Sequence, residues 1–338
     1  MKGGEAVIET LLAHGVDTAF TVPGESFLYA LEGLRRNADK IRTISVRQEG
    51  GGAFMAEAFG KLARRPAALF VSRGPGSSNA AIGIHTAMQD STPMLVFVGH
   101  VNSGSMGREA FQEIDQRSFF GSVAKAVLAT EDADNIPRIT AEAFRLSMEG
   151  RPGPVVVQIP RDVSSNETAA SILQPSPQET REPEEELIAK AKSMIDTAKA
   201  PLVVAGEMVC NQDASQALMD FVDAAALPVM SAYRRLDVMA NGHPCYAGHL
   251  EINRFDSQLR TIEGCDLVIA VGSRLDGITT ADDTMLSTGK PLIHIYPDRT
   301  VLDRFESDLA IDADMGPTLM ALAAKISAPD AARRTYTA

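Results

Sequence analysis

Glu49 stands directly before three glycines, in Arg47-Gln48-Glu49-Gly50-Gly51-Gly52-Ala53. A carboxylate in that setting can meet a flat, mostly apolar ring at close range, because glycine lets backbone approach a ligand. Downstream lie Gly74-Pro75-Gly76-Ser77-Ser78-Asn79 and then Ala110-Phe111-Gln112-Glu113. Each stretch also has a plainer use. An acid at a helix start interacts with the macrodipole for about 0.3–1 kcal/mol, and that alone would account for Glu49. The second stretch would serve as a strand-to-helix turn with Asn79 bonding locally, and Phe111 as a core residue. A phosphate loop over residues 50–52 fares worse, because Glu49 would repel the phosphate. Nor is 74–79 a dinucleotide fingerprint, since Asn79 stands where the third glycine belongs.

The elements that must position these residues alternate in type. Helical spacing over residues 4–13 precedes a short strand at 18–21 that runs into Val22-Pro23-Gly24, and residues 27–34 are helical again. Strands follow at 43–46, 67–72, 94–98 and 155–159. Short apolar strands between helices predict a parallel sheet covered on both faces. Chemistry belongs at the carboxyl ends of such strands, where Glu49, Gly74–Gly76 and the loop after Gly99 fall. From residue 162 to about 186 the composition turns to Pro, Ser and Glu, the mark of a linker or surface excursion. Strands then recur at 202–205, 228–231, 266–271 and 292–296. The expected fold is α/β: two doubly wound parallel-sheet domains, 1–165 and 185–326, joined by the Pro/Ser/Glu-rich linker. A linker-like tail, 327–338, ends the sequence.

Composition narrows the function classes. Hydrophobic residues make up 45% and charged residues 22% of the 338, ordinary values for a globular protein. A net charge of −12 disfavours nucleic-acid and anionic-membrane partners. Cys210, Cys245 and Cys265 form neither a metal-spacing pattern nor a disulfide framework, so a reducing cytoplasm is the expected compartment. The acids Glu5 and Glu9 in Met1-Lys2-Gly3-Gly4-Glu5-Ala6-Val7-Ile8-Glu9 stand where a signal peptide needs an apolar core. The apolar runs are strand-sized, far short of the roughly 18 residues of a membrane span. His85 and His100 have no partners at metal spacing and read as helix or strand-end residues.

Taken together and in order, the three stretches resemble the pyrimidine-binding domain of thiamine-diphosphate enzymes, in particular the acetolactate synthase group. The resemblance implies that Glu49 bonds the cofactor's aminopyrimidine and drives its shift to the imino form, a proton-transfer role that partial burial favours in a glutamate. It implies that Pro23, Gly24, Gly74, Pro75, Gly76, Asn79 and Gln112 line the cofactor, and that Phe111, Gln112 and Lys125 face a 2-keto acid. Two further stretches strengthen it. Gln89-Asp90-Ser91-Thr92-Pro93-Met94 is similar to the family's approach to a central strand, and residues 150–163 to the domain's last strand, a structural signature. Ser122 stands where the family carries a proline three residues before the lysine.

Residues 185–326 resemble the family's central domain, which binds FAD in some members. Gly206 and Arg274 are the residues carried over for flavin. Glu207 stands where flavin-binding relatives have glycines, however, and Gly277 and Ile278 replace an Asp and an Arg after Val271-Gly272-Ser273-Arg274-Leu275-Asp276. The family's Gly-Asp-Gly stretch with paired asparagines, which holds Mg²⁺ and the diphosphate, does not occur in the sequence. The resemblance therefore implies a carboligase or decarboxylase of 2-keto acids, assembled as a homodimer or tetramer. Its diphosphate and Mg²⁺ ligands come from a separate diphosphate-binding subunit or from the rest of a longer gene product. Two rivals stand beside that reading: a non-catalytic dimerisation or regulatory module, and a flavin- or nicotinamide-dependent oxidoreductase.

Overall fold

The computed structural model describes residues 1–177, 179–285 and 289–333. These divide into two units, Met1–Pro177 and Gln178–Ala338. In the first, six short runs become strands: β1 (Thr18–Thr21), β2 (Arg42–Ser45), β3 (Ala68–Ser72), β4 (Met94–His100), β5 (Ala126–Ala129) and β6 (Pro154–Pro160). Every pairing is parallel, in the order β2-β1-β3-β4-β6-β5. Parallel neighbours need crossovers, and helices supply them on both faces. Side chains alternate along each strand. Ala68 and Phe70 thus enter one core with Val7, Ile8 and Leu11 of the helix Gly3–Ala13, while Leu69 and Val71 enter the other with Ala53, Ala80 and Ile84.

Two helices of that second core set the site. The helix Glu49–Ala63 starts after β2, capped by the Gln48 side chain, which accepts from Gly51 N–H at 2.9 Å. The helix Arg73–Gln89 starts directly after β3. They run side by side, close enough that a Cβ on Gly83 would meet Ala53 Cβ at 2.5 Å. Only glycine permits that approach, and it brings Glu49 level with Asn79.

The second unit repeats the architecture with β7 (Pro201–Ala205), β8 (Val229–Ser231), β9 (Tyr246–His249), β10 (Leu267–Val271), β11 (Leu292–Ile295) and β12 (Leu309–Ile311). These also pair in parallel throughout, in the order β12-β11-β10-β7-β8-β9. Leu267, Ile269 and Val271 face one core, Val268 and Ala270 the other.

Both sheets are the doubly wound parallel type that the apolar runs predict. Three strands, β5, β9 and β12, were not expected, and each is an edge of its sheet. β9 is Tyr-Ala-Gly-His, with no apolar run to mark it, whereas β5 (Ala-Val-Leu-Ala) and β12 (Leu-Ala-Ile) are apolar but only four and three residues long. The expected linker begins inside the first unit: Arg161–Ser165 is helical, and the Thr168 hydroxyl donates to Asp134 at 2.6 Å. Residues of the expected tail pack on the second unit, where Ser327 Oγ donates to Asp196 at 2.6 Å and Arg333 to the Ile195 carbonyl at 2.8 Å; residues 334–338 of that tail lie outside the described residues. Among the described residues no helix is long and apolar enough to cross a membrane.

Candidate active site

Strand order reverses between β1 and β3, with β2 outside β1 and β4 beyond β3. Open parallel sheets bind ligands at the carboxyl ends beside such a reversal. Two turns flank this one. After β1, Gly24 packs on Ser72, whose Cβ would lie 2.9 Å from a Cβ at Gly24, and exposed Pro23 precedes it. The hydroxyls of Ser26 and Ser72 are 2.6 Å apart. After β3, Arg73 adopts φ 47°, a left-handed conformation that costs a non-glycine residue energy. Its buried guanidinium pairs with Glu25 at 2.6 Å, and its Nε has no hydrogen-bond partner among the described residues.

Glu49 opens its helix from the neighbouring strand end and is half-buried. Asn79 Nδ2 donates to its Oε2 at 2.9 Å. Oε1 makes no hydrogen bond among the described residues, and a Cβ built on Gly76 would stand 3.6 Å from it. One carboxylate oxygen is fixed; the other faces bare backbone. Glycine inside a helix costs about 0.8–1.0 kcal/mol relative to alanine. Close approach accounts for that cost at Gly76, to Glu49 and to Val71, whose Cβ would be 3.2 Å away.

The loop after β4 completes the edge. Gly74 N–H donates to the Gln112 carbonyl at 2.9 Å, tying the loop to the Gly74-Pro75-Gly76 turn. Glu113 accepts from Gly107 N–H at 2.6 Å and Ala110 N–H at 3.0 Å, and these bonds hold its carboxyl below the usual range. Glu109 and Gln112 both take positive φ, 56° and 63°. Phe111 at the loop tip is 75% exposed, which removes the reading of a core residue. His100 closes β4 and is buried; burial pushes its imidazole below the usual range, with Glu113 opposing and Arg73 assisting. Exposed His85 lies on the helix Arg73–Gln89.

Pro23, Gly24, Glu49, Gly74, Pro75, Gly76, Asn79, Phe111 and Gln112 thus share one edge of the sheet. Lys125 does not. It precedes β5, at the amino ends of the strands, where its amide bonds the Pro154 carbonyl at 2.8 Å and its Nζ donates to the Glu149 carbonyl. Sequence reasoning missed Arg73, Ser26 and Ser72; the available signal is Arg73's place on a strand-to-helix turn immediately before Gly74.

At the carboxyl edge of the second sheet, Gly206 follows β7 and presses on the Gly272–Ser273 turn, where any Cβ would overlap Ser273. Glu207 is 4% exposed and accepts from the Tyr296 hydroxyl at 2.9 Å. Arg274 lies 4.0 Å from Glu207 and 3.7 Å from Asp276. Arg235 is buried beside this group, bonded to Asp237 at 3.1 Å. All three cysteines are buried and unpaired.

Comparison with known proteins places both units. Residues 1–119 match the family model of the thiamine pyrophosphate enzyme N-terminal TPP binding domain, and residues 188–322 match that of the central domain. The acetolactate synthase large subunit of Corynebacterium glutamicum is 31% identical over 298 residues, 87% of this chain and 47% of that protein. The acetolactate synthase isozyme 2 large subunit of Escherichia coli is 28% identical over 327 residues, covering 95% and 59%. The acetolactate synthase large subunit of Lactococcus lactis is 29% identical over 326 residues, covering 95% and 56%. The chain spans about half the length of these relatives.

Proposed function

Because the chain carries the N-terminal and central domains of the thiamine pyrophosphate enzyme family, we propose that it is the pyrimidine-binding part of an acetolactate synthase-like enzyme acting on 2-keto acids. The observation that carries this reading is the Glu49 carboxylate, one oxygen held by Asn79 and the other turned to Gly76. That arrangement fits the aminopyrimidine half of thiamine diphosphate, since a planar ring can lie on backbone that has no Cβ while a ring nitrogen meets Oε1. When bound, the cofactor supplies the carbon nucleophile for breaking and making bonds beside a keto group. Glu49 gives and takes a proton at Oε1, and Asn79 ensures that this oxygen is the one presented. Phe111 and Gln112, steadied by Gly74 and by Glu113, bound the keto-acid side. Lys125, at the other end of the sheet, has no part in this pocket.

A net charge of −12 and the acids Glu25 and Glu113 at this edge do not suit a diphosphate. In this reading the diphosphate and Mg²⁺ are held by oxygen ligands of another segment, on the same gene product or on a separate subunit. The second unit is a scaffold. A flavin diphosphate wants helix N-termini and bare backbone, and buried Glu207 opposes one there. Exposed Phe54, Met55, Leu62 and Ile82 on the two site helices support self-association to a dimer or tetramer, and unpaired buried cysteines suit a cytoplasmic setting.

The test is reconstitution. A diphosphate-binding domain, fused after Ala338 or co-expressed, should give carbon dioxide release from pyruvate or a related acid, and Glu49→Gln should abolish it. Release that survives Glu49→Gln, or a monomer by light scattering at micromolar concentration, contradicts the reading.

A further inference from the structure

Asp223, His243 and Cys245 converge at the amino edge of the second sheet, opposite Glu207 and Arg274. Asp223 lies on the helix Ser215–Ala225, and His243 and Cys245 on the turn that leads into edge strand β9. One donor atom from each lies within 4.8 Å of the others. Asp223 Oδ1 is 3.5 Å from His243 Nε2 and 3.9 Å from Cys245 Sγ. Hydrogen bonds explain this set poorly: N–H···O contacts run about 2.7–3.2 Å, and a thiol is a weak donor. A tetrahedral zinc ion, with nitrogen and oxygen at about 2.0–2.2 Å and sulfur near 2.3 Å, separates its ligand atoms by roughly 3.3–3.6 Å. The two separations from Asp223 Oδ1, 3.5 and 3.9 Å, lie at and just above that spacing, and the third, within 4.8 Å, would close as an ion draws the ligands in.

We propose that Asp223 Oδ1, His243 Nε2 and Cys245 Sγ form a site for a zinc-class divalent cation, with solvent as fourth ligand. The donor set selects the metal. Thiolate, imidazole and carboxylate together suit zinc and its borderline-soft neighbours, whereas magnesium and calcium take oxygen alone. Access is from the Asp223 side, whose side chain is 61% exposed against 15% for His243. On binding, the Cys245 thiol proton passes to solvent as the metal–sulfur bond forms. The imidazole offers Nε2 and carries its proton on Nδ1, so the 3.2 Å contact from the Cys245 amide to Nδ1 opens. The ion would clip a helix, a turn and an edge strand together. It lies at the far end of the strands from Glu207 and Arg274.

Cobalt titration of the intact chain, freed of metal by chelator, reads the site directly. The expected result is one cobalt per chain with a sulfur-to-cobalt charge-transfer band, displaced by zinc. Cys245→Ser should abolish the band, while Cys210→Ser and Cys265→Ser leave it intact. His243→Ala and Asp223→Ala should weaken zinc binding by more than the ~10–100-fold that losing an outer hydrogen-bond partner costs. Asp223→Ala changes an exposed side chain and keeps the test open if the buried Cys245 variant fails to fold. No charge-transfer band in the unaltered chain, a band that persists in Cys245→Ser, or zinc affinity unchanged in Asp223→Ala would each overturn the proposal.

Discussion

Two glutamates open helices at the carboxyl edges of two sheets of the same type, and they are used in opposite ways. Glu49 begins its helix half-buried, with one oxygen on Asn79 and the other unclaimed beside Gly76. Glu207 begins a helix at the corresponding edge of the second sheet, but it is buried, takes the Tyr296 hydroxyl and faces Arg274. The glycine next to each glutamate follows suit. Both are close-packed, but against different things: Gly50 presses on the backbone of Asn79, the residue that holds Glu49, whereas Gly206 presses on the Gly272–Ser273 turn. A doubly wound sheet provides a site, and side-chain bookkeeping at its edge decides whether the site serves a ligand or the fold.

The sharpest break in this comparison would come from stability. Removing one member of a buried charge group costs about 3–5 kcal/mol, so Glu207→Ala should lower the denaturant stability of the second unit by that much. Glu49→Ala should cost no more than the ~0.3–1 kcal/mol of a helix-start acid. Equal losses would mean that both glutamates are structural. Gly76→Ala separates packing from ligand approach. The helix gains up to ~1 kcal/mol from the substitution, offset by contact with Val71, so stability should change little. Cofactor affinity of the assembled enzyme should nevertheless fall at least ~10-fold, about 1.4 kcal/mol, in calorimetric titration. Unchanged affinity would assign Gly76 to packing alone.

The smallest effect is a shared one. His100 in the first unit and His294 in the second are both held below the usual imidazole range, mainly by burial. Their folded forms resist protonation while the unfolded chain takes protons near pH ~6.5. Stability is therefore full above that pH and declines as pH falls towards the lower folded values. Denaturant midpoints at pH 7.5 and 5.5 should show the decline, and His294→Gln should reduce it for the second unit. A flat profile between those values contradicts the buried neutral imidazoles.

Much of this was legible in the sequence for identifiable reasons. Inner strands such as β3 and β10 are buried on both faces and must be apolar throughout, so they announce themselves. Glu49, Gly76 and Asn79 could be grouped because two motifs each begin a helix after a parallel strand, which fixes the end of the sheet they share. β5, β9 and β12 are absent from the expected set: β9 has no apolar run, and the apolar runs of β5 and β12 are only four and three residues long. That gap explains Lys125. The only mark that Lys125 precedes a strand is the short run Ala126-Val127-Leu128-Ala129, and a residue before a parallel strand lies at the amino edge. Arg73 and its pairing with Glu25 depend on a positive φ and a contact between turns after different strands, neither of which a linear pattern encodes.

Hydrogen–deuterium exchange at the thiazolium C2 of bound cofactor tests the central claim most directly, because it reads the proton transfer assigned to Glu49 before any substrate chemistry. In the assembled enzyme, Glu49→Gln keeps the side chain's shape and its hydrogen bonding to Asn79 but removes the transferable proton. The exchange rate should fall by at least ~100-fold, as expected when acid–base assistance is lost. An exchange rate unchanged by Glu49→Gln, with cofactor still bound, would show that Glu49 merely begins a helix.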